Sequence, residues 1–354
     1  MGFIIIYGDG LKGYDFGPGH PFRGDRFEAF ITLFREKMGG NPAFRILEPR
    51  HARDEELSLV HDGEYIARLI EGCRRYAVYD PDTPLHPSLE SAARLIVGGS
   101  IMACEAVLEG GYDRKAFGIG GGLHHAKRNR EAGFCLYNDV AVSASKLIRE
   151  HGFKRVLILD TDVHAGDGTA EIFYRDPRVL LIDIHQDPST IYPGRGFIEE
   201  VGEGEGEGFT VNVPLPPGAS DESYRLALEE LFQPLAEEYK PEIIIRNGGS
   251  DPHFADLLGG LKLTLEGFKL IGEETRIAAD KICHGRLVSL IGSGYNRKVL
   301  PYAWLALISG ATGVEVELEE PIPKPSGEIH LSRLNETLRI IGEVKKKIRN
   351  YWRL

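Results

Sequence analysis

Val156-Leu157-Ile158-Leu159-Asp160-Thr161-Asp162-Val163-His164-Ala165-Gly166-Asp167-Gly168 is the stretch from which the rest of the chain can be read. Its first four residues form an apolar run without a polar break, as expected of a strand buried on both faces of a parallel sheet. Side chains alternate along a strand, so Asp160, Asp162 and His164 share one face if extended backbone persists to His164. Two carboxylates and an imidazole then meet where the strand gives way to a Gly-rich turn. Packing has little use for that set, whereas a divalent metal site needs it.

Working outward, similar apolar runs recur at Phe3-Ile6, Phe117-Ile119, Val179-Ile184, Phe209-Val213, Ile243-Ile245 and Leu287-Ile291. Amphipathic stretches lie between them, at Ala93-Leu108, Val140-Glu150, Glu222-Tyr239 and Leu265-Lys281. This alternation predicts an α/β fold with a mostly parallel sheet, whose ligands bind beyond the carboxyl ends of the strands. No composition shift or internal repeat divides the 354 residues, so one domain over 1–354 is expected. Gly202-Glu203-Gly204-Glu205-Gly206-Glu207-Gly208 reads as a flexible, solvated connection, and Leu331-Trp352 as a basic amphipathic helix packed on the domain.

A formal net charge of -11 disfavours nucleic-acid phosphate and suits cationic substrates or partners. Cys73, Cys104, Cys135 and Cys283 form no C-x-x-C pair and read as buried thiols in a reducing compartment. The N-terminal Met1-Gly2-Phe3-Ile4-Ile5-Ile6-Tyr7 lacks a basic leader region, and no run approaches the length of a membrane span. A cytoplasmic protein is expected, with its oligomeric state open.

Other strand ends carry matching chemistry. Gly120-Gly121-Gly122-Leu123-His124-His125-Ala126 follows one apolar run, and its glycines do not have the G-x-G-x-x-G spacing of a dinucleotide loop. Adjacent histidines near downstream carboxylates read as acid–base groups beside a metal. Ile243-Ile244-Ile245-Arg246-Asn247-Gly248-Gly249-Ser250-Asp251 ends in a carboxylate that would complete a three-ligand shell with Asp162 and His164. A fourth position would remain for water, the composition of an open, catalytic site. Leu290-Ile291-Gly292-Ser293-Gly294-Tyr295 places a phenol on a Gly turn, suited to donating a hydrogen bond to an oxyanion. Phe134, in Gly133-Phe134-Cys135, can line an apolar slot or serve as an ordinary core aromatic.

The chain resembles the metal-dependent histone deacetylase superfamily, and within it the acetoin-utilisation deacetylases. The resemblance rests on Gly19-His20-Pro21, Val60-His61-Asp62-Gly63-Glu64-Tyr65-Ile66, Gly121 to Ala126, Gly133-Phe134-Cys135, Asp160 to Gly168, Tyr192-Pro193-Gly194, Gly249-Ser250-Asp251 and Gly294-Tyr295-Asn296, in the family's order. It implies a single three-layer α/β domain with a largely parallel eight-stranded, arginase-like sheet. It implies Asp162, His164 and Asp251 as zinc ligands, His125 as general base with Asp167 orienting it, and His124 as a charge-stabilising histidine with Asp160 as partner. Tyr295 would be the transition-state phenol. Gly133, Phe134 and Tyr192 would wall an acetyl-lysine tunnel.

The sequence departs from many relatives at Ala165, where a second histidine often follows the ligand, and at Gly121-Gly122-Leu123, in place of Pro-Pro-Gly. Asp183 stands where Ser is frequent, near an implied potassium site. The contribution of Phe254-Ala255-Asp256 to the pocket is open at this level. The implied activity is removal of acetyl from lysine in proteins, with acetylpolyamines or other small acetylated amines as alternatives. Iron(II) or another divalent ion fits the same ligands as zinc. A metal-bearing acetyl-binding module without turnover is the alternative of another class, and a two-manganese ureohydrolase would need more bridging ligands than the chain displays.

Overall fold

Isoleucine, valine and leucine dominate the strands because both faces of a parallel sheet are covered. The structure, a computed structural model, describes residues 2–109, 114–325 and 333–353. In chain order it contains β1 (Phe3–Ile6), α1 (Asp25–Lys37), β2 (Phe44–Leu47), α2 (Asp54–Leu57), α3 (Gly63–Arg74), α4 (Pro87–Ala106), β3 (Lys115–Ile119), α5 (Asp139–Arg149), β4 (Val156–Asp160), α6 (Asp167–Phe173), β5 (Val179–Gln186), β6 (Thr210–Leu215), α7 (Asp221–Ala227), α8 (Gln233–Tyr239), β7 (Ile243–Asn247), α9 (Leu265–Ile282), β8 (Leu287–Ile291), α10 (Leu300–Thr312) and α11 (Leu334–Ile348).

The eight strands form one sheet in the order β2-β1-β3-β8-β7-β4-β5-β6, with every pairing parallel. Two helical groups flank it: α4 with α5, and α9 with α10, α1, α7 and α8. The expected three-layer α/β domain is therefore present, and the sheet is parallel throughout. Because β3, β8, β7 and β4 are neighbours, the loops leaving their carboxyl ends converge at the middle of one sheet edge. Parallel strands deliver such loops to the same side, which is why sites form there.

Local chemistry sets the element ends. Asn138 caps α5 by accepting Ala141 N–H at 2.9 Å. Pro87 and Pro301 sit in the first turns of α4 and α10, where a missing N–H costs nothing. Gly313 closes α10 in the left-handed region at φ 71.

Four sequence expectations need adjustment. β4 stops at Asp160, so Asp162 and His164 lie on a loop rather than on a continued strand. The Gly202–Gly208 segment is a folded turn: Glu203 N–H donates to Tyr174 O and Gly208 N–H to Val201 O. The stretch from Glu222 to Tyr239 is two helices joined by a wider turn at Leu228–Phe232. The C-terminal helix begins at Leu334, and Leu331 lies outside the described residues. That helix packs against β6 and α7 through buried Ile340, Ile341, Val344 and Ile348.

Candidate active site

The loop after β4 is shaped by its own carboxylates. Asp160 Oδ1 accepts the N–H of Asp162 at 3.1 Å, and Asp162 Oδ1 accepts the N–H of His164 at 2.9 Å. Short acidic side chains favour such local turns. They replace strand geometry as the means of gathering Asp162 and His164. The loop after β3 is held by a neighbour from α5: Asp139 accepts the N–H groups of Gly122 and Leu123 and the hydroxyl of Ser100. With the loop fixed, His124 and His125 lie against each other, their Nε2 atoms 3.0 Å apart.

Each histidine has its own carboxylate. His124 Nδ1 lies 2.8 Å from Asp160 Oδ2, and His125 Nδ1 lies 2.8 Å from Asp167 Oδ1. Burial alone would lower His124, but Asp160 and Asp162 outweigh it and hold the imidazole up at about 10. Burial and the charge of His124 push His125 down to about 4, against the raising effect of Asp167. Two adjacent rings can thus keep unlike protonation states near neutral pH. The second oxygen of Asp167 accepts from Lys127 Nζ at 2.5 Å, and Lys127 is only 3% exposed. A cation there satisfies the carboxylate that His125 leans on.

Asp162, His164 and Asp251 are buried and offer three ligand atoms within 4.8 Å of one another. Among the described residues Asp251 Oδ2 has no hydrogen-bond partner, and its neighbour His164 Nδ1 is 3.6 Å away. Burial and the facing Asp162 carboxylate push Asp251 upward. Two crowded, desolvated carboxylates with an orphaned oxygen are a set that a divalent cation relieves, so the residues fit a metal ion. Ser293 Oγ donates to the other oxygen of Asp251 at 2.9 Å. Asp160, expected on one face with the two ligands, belongs to His124 instead.

A cleft of about 400 Å³ leads to this centre, lined by His20, Pro21, Phe134, Tyr192, Leu258 and Tyr295. The Tyr192 ring stands 5.0 Å from that of His125, and the Phe134 ring 5.9 Å from that of Tyr295. Phe134 holds φ at 68, uncommon for an aromatic residue, and is pinned there. Its N–H donates to Thr83 Oγ1 at 3.0 Å, and its carbonyl accepts the Tyr14 hydroxyl at 2.6 Å. Gly133 must lack a side chain, since a Cβ would lie 2.5 Å from His125 Cδ2. Burial and the nearby carboxylates hold the Tyr295 phenol well above its ordinary pKa, so it is a hydrogen-bond donor. Its ring and both histidines line the inner end of the cleft together with Asp162 and His164.

All the expected site residues therefore gather in one place. The sequence did not single out Asp139, Lys127, Thr83, Tyr14, Ser293 or the side chain of Asn247. The last donates to Asp160 Oδ2 at 2.8 Å. Asp183 is paired with His185 Nδ1 at 2.7 Å and accepts Gly166 N–H at 2.8 Å.

The histone deacetylase domain family matches residues 20–311. A probable deacetylase of Archaeoglobus fulgidus is 36% identical over 356 residues, covering 99% of this chain and 98% of that protein. The acetoin utilization protein AcuC of Bacillus subtilis is 34% identical over 331 residues, covering 90% and 84%. The crystal structure of the HDA15 HD domain superposes with a TM-score of 0.86 at 26% identity, covering 99% of this chain and 96% of that one.

Proposed function

The chain belongs to the histone deacetylase family and is a hydrolase of acetyl amides, and from that premise we propose that it removes acetyl from N-acetyl-lysine in proteins with a zinc ion held by Asp162, His164 and Asp251. The observation that carries this reading is the junction of the buried three-ligand set with two histidines of opposite charge preference at the end of one cleft. A bound zinc ion would supply a Lewis acid for the acetyl carbonyl and an acidified water.

The chain's own groups do the rest. Neutral His125 takes the proton of the attacking water on Nε2 while Asp167 holds the proton already on Nδ1. The same imidazole then returns a proton to the departing amine. His124 stays charged beside Asp160 and favours the negative charge that develops on the carbonyl oxygen. Tyr295 donates its hydroxyl proton to that oxygen as a hydrogen bond, a contribution on the order of 3 kcal/mol for a well-placed donor. Gly133, Phe134 and Tyr192 sheathe the aliphatic stem of the lysine and keep water out.

Acetylpolyamines are the alternative substrates, and Asp82 at the cleft mouth favours cations of either kind. The test is acetate release from an acetyl-lysine peptide and from acetylated polyamines, with and without a hydroxamate. Hydroxamate-sensitive release from the peptide supports the proposal. Release from polyamines alone moves the substrate to small amines. Inactivity of zinc-loaded protein on both returns the binding-module reading.

A further inference from the structure

The metal-ligand loop after β7 and the phenol loop after β8 are sewn together by one carboxylate. Asp256 Oδ2 accepts the backbone N–H of Tyr295 at 2.7 Å and that of Asn296 at 3.3 Å. Its other oxygen accepts Leu258 N–H at 2.9 Å and Gly259 N–H at 3.4 Å, closing its own loop. Asn296 Nδ2 returns a bond to Ala255 O at 2.6 Å. At the near end the two loops meet again, through Ser250 N–H to Ser293 O at 3.0 Å and Ser293 Oγ to Asp251.

Tyr295 needs such a fastening. It follows Gly292 and Gly294, the latter at φ 118, so its local sequence imposes little conformation of its own. Only Asp256 receives its N–H among the described residues. The same short loop carries Leu258 at the cleft mouth and begins at ligand Asp251.

We propose that Asp256 is a positioning residue that sets the place of the Tyr295 hydroxyl, tying the phenol to the loop that carries Asp251 and the rim. The proposal rests on the reading of Tyr295 as the group that meets the carbonyl oxygen. A carboxylate is required because it serves two pairs of N–H donors at once. An amide would turn an NH2 group toward one pair.

The test is a double-substitution cycle on the zinc-loaded enzyme, combining Asp256→Asn with Tyr295→Phe. Asp256→Asn alone is expected to lower kcat about 30-fold while KM changes less than about threefold, since displacing a reacting group by about 1 Å costs up to about 100-fold. Zinc stoichiometry should be unchanged. With Tyr295→Phe already present, the second change should cost less than about threefold, because no hydroxyl remains to misplace. Penalties that multiply fully, or a fall in zinc content that accounts for the lost rate, would overturn the proposal.

Asn296→Ala removes the return bond at the edge of the clasp and decides the matter if Asp256→Asn does not fold. It should show a smaller loss of kcat that also vanishes beside Tyr295→Phe, and multiplying penalties there overturn the proposal equally. An active wild-type enzyme with multiplying penalties defeats this inference alone. A wild-type enzyme inactive on acetylated substrates defeats the hydrolase reading and this inference with it.

Discussion

His124 and His125 are neighbours in sequence with opposite electrostatic surroundings. His124 faces Asp160 with Asp162 nearby, whereas His125 faces the charge of His124 and a carboxylate already engaged by Lys127. Replacing Asp160 with Asn removes the main force raising His124, so its pKa falls from about 10 toward neutrality. Since the charged ring is the useful form, the alkaline limb of the kcat profile should move to lower pH. A pH–rate comparison with wild type checks this, and an unmoved limb counts against the role given to His124. Tyr295→Phe should lower kcat by about 100- to 1,000-fold with zinc content intact, as expected for removal of one oxyanion donor. Metal analysis beside steady-state rates reads both. These residues could be singled out from sequence because each motif places unusual chemistry next to glycine. Asp139, Lys127 and Asp256 could not, since an ordinary Asp or Lys acquires its role from partners 16 to 40 positions away.

At the scale of elements, the buried strands announced themselves as apolar runs, and β1 and β8 match the expected bounds. The edge strand β2 escaped because Phe44-Arg45-Ile46-Leu47 is half exposed and carries no uninterrupted apolar run. Alternation places Asp160, Asp162 and His164 on one face only if the strand continues, and periodicity cannot report that Asp160 and Asp162 bond the backbone ahead of them and end it. A separate ionic knot is invisible to pattern altogether. Glu56 on α2 is 1% exposed and accepts from Arg50 and from its own helix start, with Lys146 of α5 3.3 Å away. Burial would raise its carboxyl, but these partners prevail and hold it at about 2.

A lowered folded pKa stabilises the protein above the unfolded value near 4.5, and that stabilisation is lost as pH falls from there through about 2. Because Arg50 and Arg53 are 39% and 66% exposed, solvent screening reduces the contribution to on the order of 2 kcal/mol. Glu56→Gln should therefore lower the unfolding midpoint in urea at pH 7 and narrow its gap to wild type near pH 2. An equal gap at both pH values contradicts the ionic account.

Over the whole molecule, the net charge of -11 and the carboxylate at the cleft mouth bias encounters toward cationic peptides. Acetyl-lysine peptides flanked by lysine should show higher kcat/KM than those flanked by glutamate, with the difference shrinking as salt rises. Equal values at low salt would remove electrostatic selection from the account. The parallel sheet brings four loop ends together, and the family resemblance anticipated that convergence better than any single motif did. The most direct test is a zinc titration of metal-stripped enzyme, following acetyl-lysine peptide hydrolysis for wild type and Asp251→Ala. The account expects wild-type rate to rise to a plateau at one zinc per chain, while Asp251→Ala neither retains zinc nor turns over. Full activity without metal, or stoichiometric zinc retained by Asp251→Ala, would contradict it.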